Sequence, residues 1–169
     1  GWSSSPCSAL VMLSPNARKA IEETTSTSFA ADLKKWLHIM ETYENGGHAY
    51  HATMPTDALI RFRDAMRETE LHGLEKLRGQ QIELGARIRK LLSERGIKSV
   101  AADGFQAPGV IVSYTSDNNI QTGKAFVEVG LQIAAGVPLQ CDEGDDFKSF
   151  RLGLFGLEKL NNIDRTVET

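Results

Sequence analysis

The hydrophobic pattern of this chain of 169 residues changes its period once, near Glu94–Gly96. Before this point, apolar residues recur every three or four positions, as they do on one face of an α-helix. After it, short apolar runs alternate with loops rich in Gly and Pro, which is typical of strands. The second part has the predicted order β-β-α-β-β-α, which indicates an α/β or α+β layered fold. We therefore predict a section of long helices over residues 1–95 and a small α+β domain over residues 96–169.

The first section is predicted to hold one buried strand followed by four helices. Ser14 and Pro15 form a helix start, with Ser as the N-cap and Pro at the first helical position. Gly96 follows the last long helix at a position where a left-handed cap is common. The predicted strand is Ala9–Leu13, and the predicted helices are 16–24, 32–44, one that starts at Pro55 or Thr56, and one from Leu74 to about residue 94, with an interruption at His72-Gly73.

The second section is predicted to contain four strands and two helices. The strands are short apolar runs that lie between turn-forming residues. They are expected at Ile97–Val100, Val110–Tyr114, Leu139–Cys141 and Ser149–Leu154, and the helices at Thr122–Ala135 and from Leu157 to the end.

The composition of the chain and the motifs that it lacks argue against several classes of function. The chain has 19 basic and 22 acidic residues, so it lacks the basic footprint of a nucleic-acid-binding protein. Its apolar runs are far shorter than the ~20 residues of a membrane span. Cys7 and Cys141 are too few for a disulfide framework or a metal-ligand cluster, which favours a reducing, cytoplasmic setting. Glycine-rich nucleotide loops and metal-binding motifs are also missing, so no metal is expected.

Tyr50-His51-Ala52-Thr53 lies immediately before a predicted helix. The hydroxyls of Tyr50 and Thr53, together with N–H groups at the helix start, could bind a phosphate. Alternatively, Thr53 is a plain helix cap and Tyr50 a packing residue. For His51, a place at the surface or at the edge of the core is the simpler interpretation.

Arg151 lies in the last predicted strand. Strand alternation puts Phe150 and Leu152 on one face, and Arg151 on the other face between the small residues Ser149 and Gly153. A guanidinium with open space above it could bind a substrate carboxylate through two parallel hydrogen bonds. Alternatively, Arg151 pairs with the acidic run at residues 142–146, or lies on a solvated strand face. We expect the acidic run itself to be a solvated loop.

Together, three segments and the order of elements between them resemble the C-terminal half of a class V aminotransferase. These are pyridoxal-phosphate enzymes of fold type I, and the resemblance is strongest to the alanine–glyoxylate and serine–pyruvate aminotransferase group. The segments are GWSSSPCSALVMLS at Gly1–Ser14, HAYHATMPTDALIRFRDAM at His48–Met66 and FRLGLFG at Phe150–Gly156. The expected fold class is therefore α/β, comprising the end of a large cofactor domain and a small C-terminal α+β domain.

The resemblance implies roles for individual residues. Tyr50 and Thr53 would contact the phosphate of pyridoxal 5′-phosphate bound in the neighbouring subunit of a homodimer, and Arg151 would bind the substrate carboxylate. The Schiff-base lysine is expected immediately before Gly1, in the N-terminal half of the same subunit, so the 169-residue chain alone is predicted to be inactive. The second histidine of the family segment is Ala52 here, and His51 receives no role.

The leading hypothesis is therefore amino-group transfer between a small amino acid and a small 2-oxo acid such as glyoxylate or pyruvate. One alternative is another fold-type-I activity, a lyase or a desulfurase. Another is a non-catalytic α+β binding module, because a fold does not determine a function.

Overall fold

The computed structural model describes residues 4–169, so Gly1–Ser3 of the first resemblance segment lie outside the described residues. The chain divides into two compact units. The N-terminal unit is Ser5–Arg61; the C-terminal unit is Phe62–Thr169, with which Ser4 is grouped. The domain boundary expected between residues 95 and 96 stays a prediction. Among the residues described, no helix combines the length and the apolar character that a membrane crossing requires.

The predicted helices of the first section are confirmed. They are α1 Pro15–Glu23, α2 Leu33–Glu44, α3 Thr56–His72 and α4 Leu74–Glu94. The Ser14 hydroxyl accepts a hydrogen bond from the N–H of Ala17, and the Asp32 carboxylate accepts one from Lys35, so both side chains satisfy N–H groups at a helix start. Gly73 separates α3 from α4 with a φ of +89°, and Gly96 follows α4 with a φ of +75°.

The predicted strand at Ala9–Leu13 is wrong. These residues have no regular secondary structure, and Leu10, Val11 and Met12 are exposed. The N-terminal unit consists of α1, α2, the start of α3 and loops. A strand needs a neighbouring strand for its hydrogen bonds, and residues 5–61 supply none.

The C-terminal unit contains a three-stranded antiparallel sheet. Its strands are β1 Val110–Tyr114, β2 Ala134–Ala135 and β3 Ser149–Gly153, in the spatial order β1-β3-β2. The prediction of β1 and β3 is therefore confirmed. The predicted strand Ile97–Val100 is reduced to one bridge between Ser99 and Ser113 beside β1. Short helices complete the unit: α5 Asn118–Gln121, α6 Lys124–Glu128, α7 Leu157–Leu160 and α8 Ile163–Glu168.

Two further predictions in the C-terminal unit are wrong. The helix expected over Thr122–Ala135 is broken because Gly123 and Gly130 adopt φ values of +82° and +80°, and β2 occupies its last two residues. The strand expected at Leu139–Cys141 is a loop. The helix expected from Leu157 is present as two short helices, and the second of them begins after the N-cap Asn162.

The core of the C-terminal unit lies between α4 and the sheet. One face of α4 packs against β1, α7 and α8. Leu84 in the middle of this face is fully buried. The core residues are Leu77, Leu84, Ile88, Ile111, Leu154 and Leu160. The core thus lies against β1, and β1 pairs with β3, the strand that carries Arg151.

Candidate functional site

Tyr50 and Thr53 lie on the connector between α2 and α3, in the N-terminal unit. The hydroxyl oxygen of Tyr50 is 3.3 Å from Oγ1 of Thr53, and the Tyr50 side chain is 70% exposed. The first helical hydrogen bond of α3 runs from Leu59 to the carbonyl of Pro55. Thr53 lies before this cap, and its hydroxyl is directed to Tyr50. The structure thus brings two exposed hydroxyls together, as a site for a phosphate requires.

His51, between these two residues, is half-buried in an aromatic cluster. Its ring lies 4.2 Å from that of Phe29 and 4.9 Å from that of Trp36, measured between centroids. Its Nε2 atom is 3.1 Å from the carbonyl oxygen of Phe29. The indole N–H of Trp36 donates to the carbonyl of Ala30 at 2.8 Å, which holds the same loop. His51 therefore ties the connector to α2 and to the loop that precedes α2.

Arg151 occupies the middle of β3, the central strand, opposite Val112 of β1 and Ala134 of β2. Its Nε donates to the carbonyl oxygen of Ala135 at 2.9 Å. Within residues 4–169 no carboxylate forms an ion pair with it, and both terminal Nη groups are free of protein acceptors. The proposed pairing with the acidic run is therefore wrong.

The two neighbours of Arg151 on its face of β3 differ in their surroundings. A methyl group added at Gly153 would meet no atom within 4 Å. Ser149, on the other side, is buried with only 2% of its surface exposed. The guanidinium is held at Nε by the Ala135 carbonyl, and the face of the strand next to it is open at Gly153.

The acidic run at residues 142–146 forms a loop that folds around one of its own carboxylates. Glu143 accepts hydrogen bonds from the backbone N–H groups of Gln140 and Cys141, both at 2.8 Å, and from Leu139. These hydrogen bonds, that from Cys141 foremost, lower the pKa of the Glu143 carboxyl to about 2. Asp142, Asp145 and Asp146 are exposed, so this part of the run is solvated as expected.

The sequence does not predict the cavity of about 500 Å³ that lies beside the end of α4. Arg89 lines it and donates to the carbonyl oxygens of Ala107 at 2.7 Å and Val110 at 3.1 Å. Burial lowers the pKa of Arg89. The sequence shows only a basic helix here. Two partners of Arg89 are backbone carbonyls, which leave no sequence signal, and the third is the Ser99 hydroxyl at 3.4 Å, ten positions along the chain. Among residues 4–169, no three His, Cys, Asp or Glu side chains are close enough together to hold a metal ion.

Comparison with known proteins finds matches among solved structures. A scan of protein-family models and a search of curated proteins both give no match. The chain superposes on alanine–glyoxylate aminotransferase from Nostoc sp. with a TM-score of 0.67 and 16% identity, over 92% of this chain and 41% of that one.

Two further structures give the same result. The subgroup IV aspartate aminotransferase of Thermus thermophilus matches with a TM-score of 0.62 and 20% identity, over 92% of this chain and 43% of that one. The ureidoglycine–glyoxylate aminotransferase of Bacillus subtilis matches with a TM-score of 0.57 and 20% identity, over 88% of this chain and 38% of that one. The chain spans about two fifths of the length of these proteins, and the match lies in their C-terminal portion. The chain therefore has the mixed α/β fold of the C-terminal part of an aminotransferase subunit, with a small antiparallel sheet.

Proposed function

We propose that this chain is the C-terminal part of a pyridoxal-phosphate-dependent aminotransferase that acts on a small amino acid and a small 2-oxo acid of the glyoxylate or pyruvate type. The main observation in favour is that the aminotransferase fold coincides with two ligand-ready groups on the segments that resemble the family. These groups are the Tyr50–Thr53 hydroxyl pair and the guanidinium of Arg151. Two of the three solved structures described above have glyoxylate in their names, which favours this class of acceptor.

The hydroxyl pair fits the phosphate of the cofactor. A phosphate oxygen accepts hydrogen bonds, and each of the two hydroxyls can donate one. Both hydroxyls can turn towards a ligand without breaking a bond to the backbone, because each is paired with the other. We assign Tyr50 and Thr53 to the phosphate of the cofactor in the neighbouring subunit of a homodimer. The bound cofactor supplies the electron sink for amino transfer, and the protein supplies orientation and electrostatics.

Arg151 suits the substrate carboxylate. A guanidinium binds a carboxylate through two parallel N–H···O bonds, and this geometry fixes the orientation of the substrate as well as its affinity. In β3 the guanidinium is held at Nε by Ala135, while its two Nη groups remain free within the described chain. The N-terminal half of the subunit would complete the active site, and the cytoplasm is the compartment we infer.

The class of enzyme is tested by colour and turnover. We expect the purified full-length subunit to absorb in the near-visible range with pyridoxal phosphate and to transfer an amino group from a small amino acid to glyoxylate or pyruvate. A full-length subunit that stays colourless after the cofactor is added would instead favour a binding module. A coloured protein that eliminates or desulfurates its substrate would favour the lyase or desulfurase alternative.

The role of Arg151 is tested by Arg151→Ala in the full-length subunit. Loss of a bidentate, charged contact removes hydrogen bonds worth ~1.5–3 kcal/mol each, so the substrate KM should rise on the order of 100-fold or more. The dissociation constant for the cofactor should stay unchanged. Arg67→Ala, at an exposed position of α3, is the matched control and should change neither quantity. A collapse of cofactor binding in Arg151→Ala would show that Arg151 does not act on the substrate.

A further inference from the structure

We propose that His51 is a positioning residue for the phosphate-binding hydroxyls. It would hold the connector in the shape that keeps Tyr50 and Thr53 side by side. This inference rests on the proposed function, because it matters only if Tyr50 and Thr53 bind a phosphate. His51 itself makes no contact with the ligand in this proposal.

His51 makes two kinds of contact, ring packing and a hydrogen bond. Its ring packs on Phe29 at 4.2 Å with planes tilted by 37°, and meets the edge of Trp36 at 4.9 Å with planes at 73°. Its Nε2 reaches the Phe29 carbonyl oxygen at 3.1 Å. Phe29 precedes α2 in the chain and Trp36 belongs to α2. One side chain thus connects the connector to two separate parts of the N-terminal unit.

The connector needs such an anchor because no regular secondary structure holds it. Residues 47–55 belong to neither a helix nor a strand. Tyr50 and Thr53, one residue before and two after His51, are both exposed. His48 supplies a looser contact, with 5.9 Å between its ring centroid and that of Tyr43. His51 is therefore the nearest tight anchor for both hydroxyls.

If His51 is such an anchor, its loss should weaken the binding of a ligand that carries a phosphate more than the binding of the same ligand without it. Without His51 the connector populates more conformations, and only some of them bring the two hydroxyls together. The binding-competent fraction falls, and the apparent affinity falls by the same factor. Only a ligand group that both hydroxyls contact is affected. The ring of the cofactor should be bound as well as before.

The experiment compares two ligands that differ only in the phosphate. Binding of pyridoxamine 5′-phosphate and of pyridoxamine to the full-length apo dimer is measured by titration calorimetry for wild type, His51→Ala and His51→Phe. The control is His38→Ala, at an exposed position of α2. We expect His51→Ala to weaken binding of the phosphorylated ligand about 10-fold, as the loss of an aromatic contact implies, and to leave pyridoxamine unchanged. His51→Phe keeps the ring contact and should have a smaller effect of the same kind, and His38→Ala should have none.

Equal weakening of both ligands in His51→Phe or His51→Ala would overturn the proposal, because it would indicate a general loss of structure. An unchanged preference for the phosphorylated ligand in both variants would overturn it as well.

A double variant separates this inference from the proposed function. Tyr50→Phe combined with Thr53→Val should reduce the preference for the phosphorylated ligand, and adding His51→Ala to it should have no further effect. If the double variant keeps the full preference, the phosphate assignment of the proposed function is wrong. If it loses the preference while His51→Ala alone does not, only the role of His51 is wrong.

Discussion

At Gly85, α4 packs directly against the backbone of Pro108. Gly85 is buried, and a methyl group built on it would lie 2.6 Å from the carbonyl oxygen and 2.9 Å from the Cα of Pro108. Both atoms belong to the backbone, so they cannot move aside as the end of a side chain can. Gly79, in the same helix, has no atom within 4 Å of such a methyl group. The two glycines allow the same substitution to be compared with and without the close approach.

The expected free energies follow from this geometry. Each Gly→Ala change in a helix gains ~0.8–1 kcal/mol of propensity, so Gly79→Ala should stabilise the protein by about that amount. Gly85→Ala gains the same propensity but overpacks the contact with Pro108, which costs ~1–3 kcal/mol. Because the propensity cancels, the free energies of unfolding of the two variants should differ by ~1–3 kcal/mol.

The assay is urea denaturation followed by far-UV circular dichroism, applied to the wild-type protein and to the Gly79→Ala and Gly85→Ala variants. A slope of ~2 kcal/mol per molar urea converts the difference into a separation of the midpoints of ~0.5–1.5 M, with Gly79→Ala the higher. Equal stabilisation by the two substitutions would refute the reasoning, because it would show that α4 does not need a glycine against Pro108.

Three other substitutions test separate parts of the C-terminal unit. Leu84→Ala, at the fully buried centre of the core, should lower the free energy of unfolding by ~2–5 kcal/mol in the same denaturation assay. Gly136→Ala would place its methyl group on the backbone oxygen of Ser149 and should separate β2 from β3, seen as faster amide hydrogen exchange in both strands. Glu143→Gln should release the amides of residues 139–141, seen as changed amide chemical shifts. The Glu143 pKa is lowered, so its stabilisation is complete above about pH 4.5 and is lost as the pH falls through about 2, and a pH titration of those shifts should follow this window in wild type only.

The sequence predicts those elements whose signals are local. α1 to α4 follow from apolar spacing and from terminal residues such as Ser14, Pro15 and Gly96, each of which acts within a few positions of itself. The long helix expected after Thr122 fails because nothing in its apolar pattern reveals that Gly123 and Gly130 adopt positive φ. β2 is two residues long and depends on pairing with β3, so its own residues carry too little signal.

In the candidate site, too, the local features can be predicted from the sequence, whereas the contacts between distant residues cannot. The strand position of Arg151 follows from alternation around it, and the structure confirms that strand. Its bond to Ala135 and the open side at Gly153 depend on which strands become neighbours, which the sequence leaves open. The contact of His51 with Phe29 joins residues 22 positions apart, across α2. The sequence indicates this contact only through the apolar pattern of α2, which includes Trp36.

The central position of β3 has a consequence for the order in which the protein folds. β1 and β2 each pair with β3 and not with each other, and β3 is the last of the three strands to leave the ribosome. Until Gly153 has been synthesised, both earlier strands lack their partner. Helix α4 can form from local contacts during this time, whereas the sheet must close a long loop first. We therefore expect the guanidinium of Arg151 to reach its final place late, in the same step that completes the sheet, and we expect nascent chains that end before β3 to aggregate most readily.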